Sequence, residues 1–155
     1  MQLSQNFSLQ ELTKSQTALR QEIDNTPEGE HLSALEALVQ NVLQPIRDAI
    51  GITVINSGYR SPALNKAVGG SSRSQHCKGE AVDIECPGTS NADLAEWIRD
   101  NLDFDQVILE FYTPGDPKSG WVHVSYLSQS WLNRKVTLTA MKENGKTVYK
   151  EGLII

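Results

Sequence analysis

The stretch "SRSQHCKGEAVDI" (72–84) decides the reading of the chain. It holds one of the three histidines, one of the two cysteines and two of the nineteen acids. Its second half, extended as "EAVDIEC" (80–86), alternates apolar and polar residues and reads as a strand. On a strand Asp83 projects to the same face as Ala81 and Glu85. His76 lies before that strand, across a turn that contains Gly79, and glycine permits a tight reversal. Nitrogen and oxygen ligands hold zinc at roughly 2.0 to 2.2 Å. His76 and Asp83 can meet one ion if the approach loop folds back.

A third ligand has to come from elsewhere, and His123 is the candidate. It stands mid-strand in "GWVHVSY" (120–126), in phase with Trp121 and Ser125, with Val122 and Val124 facing the other way. Three protein ligands leave a fourth place open, the mark of catalytic rather than structural zinc. Water acting there needs a general base, normally a carboxylate. Glu110 in "DQVILEF" (105–111) is the choice, because an acid in so apolar a strand is costly unless it meets a cation or a reacting water. Cys77, next to His76, reads as structural or incidental, since adjacent residues rarely direct both side chains at one ion. His31 reads as a surface residue early in a helix, and Glu85 as the surface partner of a lysine.

Working outward, Ser8 with Glu11 forms a capping box that starts a short helix at Leu9. Thr26 and Pro27 suit the cap and first position of the next helix. That helix carries Leu32, Leu35, Leu38, Val39, Val42, Leu43 and Ile46 on one face over about six turns, with a kink expected at Pro45 and an end at Gly51. "ITVINS" (52–57) is β-branched and reads as a strand. Ser61-Pro62 opens a short helix stopped by Gly69-Gly70, and Ser90 with Asp93 opens another. Asn144-Gly145 marks a hairpin between "RKVTLTAM" and "KTVYK". Helices come first and strands dominate later, which predicts an α+β fold. A mostly antiparallel sheet is expected to pack against N-terminal helices in a single domain over residues 1–155.

Bulk composition narrows the partners. Hydrophobic residues make up 39% and charged residues 21%, ordinary for a globular chain with a core. A net charge of −5 argues against nucleic acid, which needs a basic face. "MQLSQNFSLQ" shows no secretory signal, and no apolar run approaches the length of a membrane span. Cytoplasmic synthesis, reduced cysteines, no membrane insertion and a monomer are expected.

The segment Ser74-Gln75-His76-Cys77-Lys78-Gly79-Glu80-Ala81-Val82-Asp83 fits S-x-H-x-x-G-x-A-x-D at every fixed position. It is preceded by "SGYRSP" (57–62) and followed by "WVHVS" (121–125). This order resembles the zinc D-Ala-D-Ala carboxypeptidase family of peptidoglycan peptidases, which includes phage endolysins and shares its fold with the hedgehog signalling domain. The resemblance runs from "FSLQEL" to "WVHVSY". It implies a Zn²⁺ site at His76, Asp83 and His123, and a substrate among the stem peptides of peptidoglycan. Arg60 matches an arginine that binds substrate or stabilises the developing oxyanion, and Ser74 a serine near the substrate. Many relatives carry the base three residues before the last histidine; here that position is Gly120. Glu110 is the first substitute for it and Asp116 in the following loop the second. The missing signal suits a phage lysis enzyme released to the wall through a separate pore, or a cytosolic enzyme trimming wall peptides. The competing reading is a non-catalytic zinc-stabilised binding or phage structural module, its fourth ligand supplied by Cys77.

Overall fold

The computed structural model describes residues 1–155. Helices α1 (Leu9–Thr13) and α2 (Gln16–Arg20) open the chain. The Ser8 hydroxyl accepts a hydrogen bond from the Glu11 N–H at 3.2 Å, the cap that the sequence implied. The long apolar helix begins later than expected, at Glu30, with Gly29 rather than Thr26 before it. Asn25 and Thr26 are used elsewhere. The Asn25 side chain donates to the carbonyls of Thr13 and Tyr59 and accepts from the Ser61 N–H, while the Thr26 N–H turns back to Asp24. That loop ties α1 to the segment leading into the site.

The helix runs as α3 (Glu30–Leu38), a π turn (Val39–Leu43) and α4 (Gln44–Ala49). Pro45 has no N–H to give to the turn before it, and the ladder there widens into a π turn in which the Gln44 N–H reaches Val39. The expected face is buried, with Leu35, Leu38, Val39, Val42, Leu43 and Ile46 fully covered.

The strands are β1 (Val54–Ser57), β2 (Ala81–Glu85), β3 (Gln106–Glu110), β4 (Trp121–Ser125), β5 (Val136–Glu143) and β6 (Lys146–Glu151). Helix α5 (Pro62–Ala67) follows β1, and α6 (Asn91–Asn101) joins β2 to β3. The six strands form one sheet in the order β1-β2-β4-β3-β5-β6. Every neighbouring pair is antiparallel except β3 with β5, which is parallel. The fold is α+β with a mostly antiparallel sheet, as the sequence predicted.

Alternation along the strands gives the sheet two faces. Val82, Ile84, Val107, Leu109, Val122 and Val124 point to one face and pack with the helices in the main core. The intervening residues point to the other face, which no helix of that core covers. The register aligns Ser57, Asp83, His123, Ile108 and Leu138 across the sheet on this second face. No helix of the chain is long and apolar enough to cross a membrane.

Candidate metal centre

Asp83 and His123 are direct cross-strand partners of β2 and β4. Side chains opposed in this way stand roughly 5 Å apart at Cβ. The Asp83 Oδ1 lies 3.0 Å from His123 Nδ1 and 3.4 Å from His76 Nε2. One ligand atom from each of the three residues lies within 4.8 Å of the other two. His76 arrives from the short 3-10 turn Gln75–Lys78 that precedes β2. Ser74 caps that turn, its hydroxyl accepting from the His76 N–H at 3.2 Å. Gly79 closes it at φ +74°, and a Cβ there would meet the His31 carbonyl oxygen at 2.3 Å, so no other residue makes the turn as cheaply.

The three side chains fit a divalent cation by their chemistry. His76 Nδ1 lies 2.8 Å from the Gly58 carbonyl oxygen. A carbonyl only accepts, so Nδ1 carries the proton and Nε2 is the nitrogen turned toward Asp83, donating to the carboxylate when protonated and free to ligate a cation when not. Burial pushes the Asp83 carboxyl up, but the hydrogen bonds and charges of His123 and His76 outweigh it and hold the group well below the usual carboxylate range. It is therefore ionised at any physiological pH. The imidazole centroids of His76 and His123 are 5.2 Å apart at 67°. Cys77 is not part of this convergence: its half-buried thiol is pushed up by burial and pulled down by Arg60.

The cluster lies at the wall of an open cavity of about 510 Å³ that Arg60, Ser74, Glu110 and Trp121 also line. Glu110 pairs with Trp121 across β3 and β4, one step along from Ile108 and His123. Burial, and then the Asp83 charge, push the Glu110 carboxyl up, while His123, the Trp121 indole and Arg60 pull the other way. Arg60 donates its backbone N–H to the His76 carbonyl, and its buried Nε has no hydrogen-bond partner. Asp116 is not brought to the cavity. It is exposed in the β3–β4 loop, where its Oδ1 accepts from the Lys118 N–H.

Gly120 explains the missing acid. Its φ is +67°, and a Cβ built there would lie 2.0 Å from the Glu110 carbonyl oxygen. Phe111, facing it across the end of the two strands, is also left-handed at φ +56°. The backbone at this position, where the resemblance expects a carboxylate, takes a conformation that disfavours any side chain.

Two expectations are corrected. His31 is half-buried, with Nδ1 3.3 Å from the Tyr59 hydroxyl, rather than a surface residue. Glu85 takes hydrogen bonds from Asn56 and Asn91, not from a lysine. The structure also adds residues that spacing did not reveal. Buried Asp105 accepts from Gln75 Nε2 at 3.0 Å and from Arg134 Nε and Nη2 at 2.9 and 2.8 Å, tying the His76 turn to the C-terminal segment. Arg73 and Tyr149 line the cavity as well. Arg73 follows from its place beside Ser74 in the His76 segment, whereas the placement of Tyr149 depends on strand pairings distant along the chain.

A family model described as peptidase M15 matches residues 5–125. The chain belongs to that family, the zinc D-Ala-D-Ala carboxypeptidase type of peptidase that the His76–Asp83 motif resembles. No curated protein matches the chain.

Proposed function

We propose that this protein is a zinc peptidase that hydrolyses peptide bonds in the stem peptides of bacterial peptidoglycan. The observation that carries the proposal is the convergence of His76, Asp83 and His123 at the wall of a cavity shared with Glu110 and Arg60. His76 through Nε2, Asp83 through Oδ1 and His123 through Nδ1 are the atoms that would hold the ion. Zinc bound there polarises a carbonyl and acidifies a water.

The remaining work falls to the chain. Glu110 accepts the proton of the attacking water and hands it to the leaving amine, and its raised proton affinity suits a base that works near neutrality. Arg60, with an unpartnered buried Nε, binds a peptide carboxylate or the charge developing on the carbonyl oxygen. Ser74 holds the His76 turn and borders the substrate. The structural-module reading needs a fourth ligand to close the site, and Cys77 does not join the three.

The test is zinc content combined with release of new amino groups from purified peptidoglycan. The expected result is one zinc per chain and amine release that stops on chelation and returns with zinc. Stoichiometric zinc without amine release from any wall preparation would overturn the proposal and favour the binding module.

A further inference from the structure

Tyr149 lines the same cavity as His76, Asp83 and His123, yet it comes from β6, outside the segment that matches the family. The register explains how it gets there. Tyr149 pairs with Ala140 on β5, Ala140 with Glu110 on β3, and Glu110 with Trp121 on β4. These four residues form one row on the open face of the sheet. Ala140 between them carries only a methyl group, so its own side chain raises no barrier between Glu110 and Tyr149.

Tyr149 gains little from the fold itself. The residue is 58% exposed, and its hydroxyl makes no hydrogen bond. An aromatic ring that lines the same cavity as Glu110 is placed to hold something arriving there.

We propose that the β5–β6 hairpin is a substrate-recognition element of this enzyme and that Tyr149 sets its preference for extended peptides. The inference rests on the peptidase reading above. Neighbouring strands lie about 4.8 Å apart, so the three steps from β4 to β6 put Tyr149 roughly 14 Å from the His123 strand. An extended peptide advances about 3.3 Å per residue. A peptide with its scissile bond at the His76–Asp83–His123 cluster therefore reaches Tyr149 with about its fourth residue on that side. The ring offers such a chain an apolar face and a hydroxyl. Shorter peptides do not reach it.

The experiment measures kcat and KM for zinc-loaded wild type, Tyr149→Ala and Tyr149→Phe on synthetic stem peptides. The peptides share one scissile bond and are shortened from the amino end in one set and the carboxyl end in the other. Melting temperatures are recorded to confirm that the variants fold. In one set, Tyr149→Ala is expected to raise KM about tenfold on the longest peptides with kcat unchanged, the signature of lost substrate binding. It leaves the shortest peptides unaffected, and Tyr149→Phe recovers most of the loss. An equal loss at every length, or no loss at any length, overturns the inference while leaving the peptidase reading intact. Failure of the wild type to cut any peptide of either set overturns both.

Discussion

Replacing Gly120 with glutamate would put an acid three residues before His123, where the family resemblance expects the base. The structure predicts that this change harms the protein. A non-glycine residue at φ +67° costs about 1–2 kcal/mol. The added Cβ would stand 2.0 Å from the Glu110 carbonyl oxygen, 2.8 Å from the Phe111 carbonyl carbon and 2.9 Å from the Tyr112 nitrogen. All three are backbone atoms, so the end of β3 has to move, at about 1–3 kcal/mol more. The sum is about 2–5 kcal/mol, or a fall on the order of 10 °C in Tm for a chain of this size. Gly120→Ala carries the same backbone cost without the acid and is expected to fall by a similar amount. Thermal denaturation followed by circular dichroism reads the effect, with Glu110→Gln/Gly120→Glu assayed beside it for peptide cleavage. An unchanged Tm, together with cleavage regained in the double variant, would refute the reasoning: the backbone would then tolerate a carboxylate at 120, and that carboxylate would serve as the base.

Asp105→Asn tests the tie between the His76 turn and Arg134. The carboxyl is buried, but Arg134 is 58% exposed and solvent discounts the pair, leaving an expected loss of about 2 kcal/mol at neutral pH. Burial pushes Asp105 up, but the hydrogen bonds of Arg134 and Gln75 prevail and lower it. Its stabilisation is therefore complete above the ordinary carboxylate range and is lost as pH falls through the lowered folded value. The Tm gap between wild type and variant should narrow in acid; a gap that stays constant from pH 7 to about pH 3 would contradict this. In competitive zinc titrations, Cys77→Ser should bind as the wild type does, while His76→Ala should weaken binding at least tenfold. Collapse of zinc affinity in Cys77→Ser would mean that the site is closed by a fourth protein ligand.

The site was more legible in the sequence than the sheet around it. His76 and Asp83 lie close along the chain, with only the Gly79 turn between them, so local geometry was enough to pair them. Strand alternation put His123 and Glu110 on polar faces among valines and leucines, and the register of β2, β3 and β4 then brought those faces together. The parallel pairing of β5 with β3 joins segments separated by the β3–β4 hairpin and a further turn, and no local pattern encodes it. Tyr149 and the Asp105–Arg134 pair depend on that pairing and were invisible for the same reason. The late start of α3 reflects competition: Asn25 and Thr26 have good capping chemistry, but tertiary partners and a local turn to Asp24 take up their hydrogen bonds. Gly120 looked like the loss of a catalytic acid in the sequence; in the structure it is the residue that lets the backbone pass the Glu110 carbonyl.

The most direct measurement is mass spectrometry of stem peptides from purified peptidoglycan after incubation with the zinc-loaded protein, run beside Glu110→Gln with matched zinc content. The account predicts new peptide fragments from the wild type, their masses naming the bond cut, and their loss in the variant. Intact peptides from a wild type carrying one zinc per chain would contradict the peptidase reading, and equal fragments from both proteins would contradict Glu110 as the base.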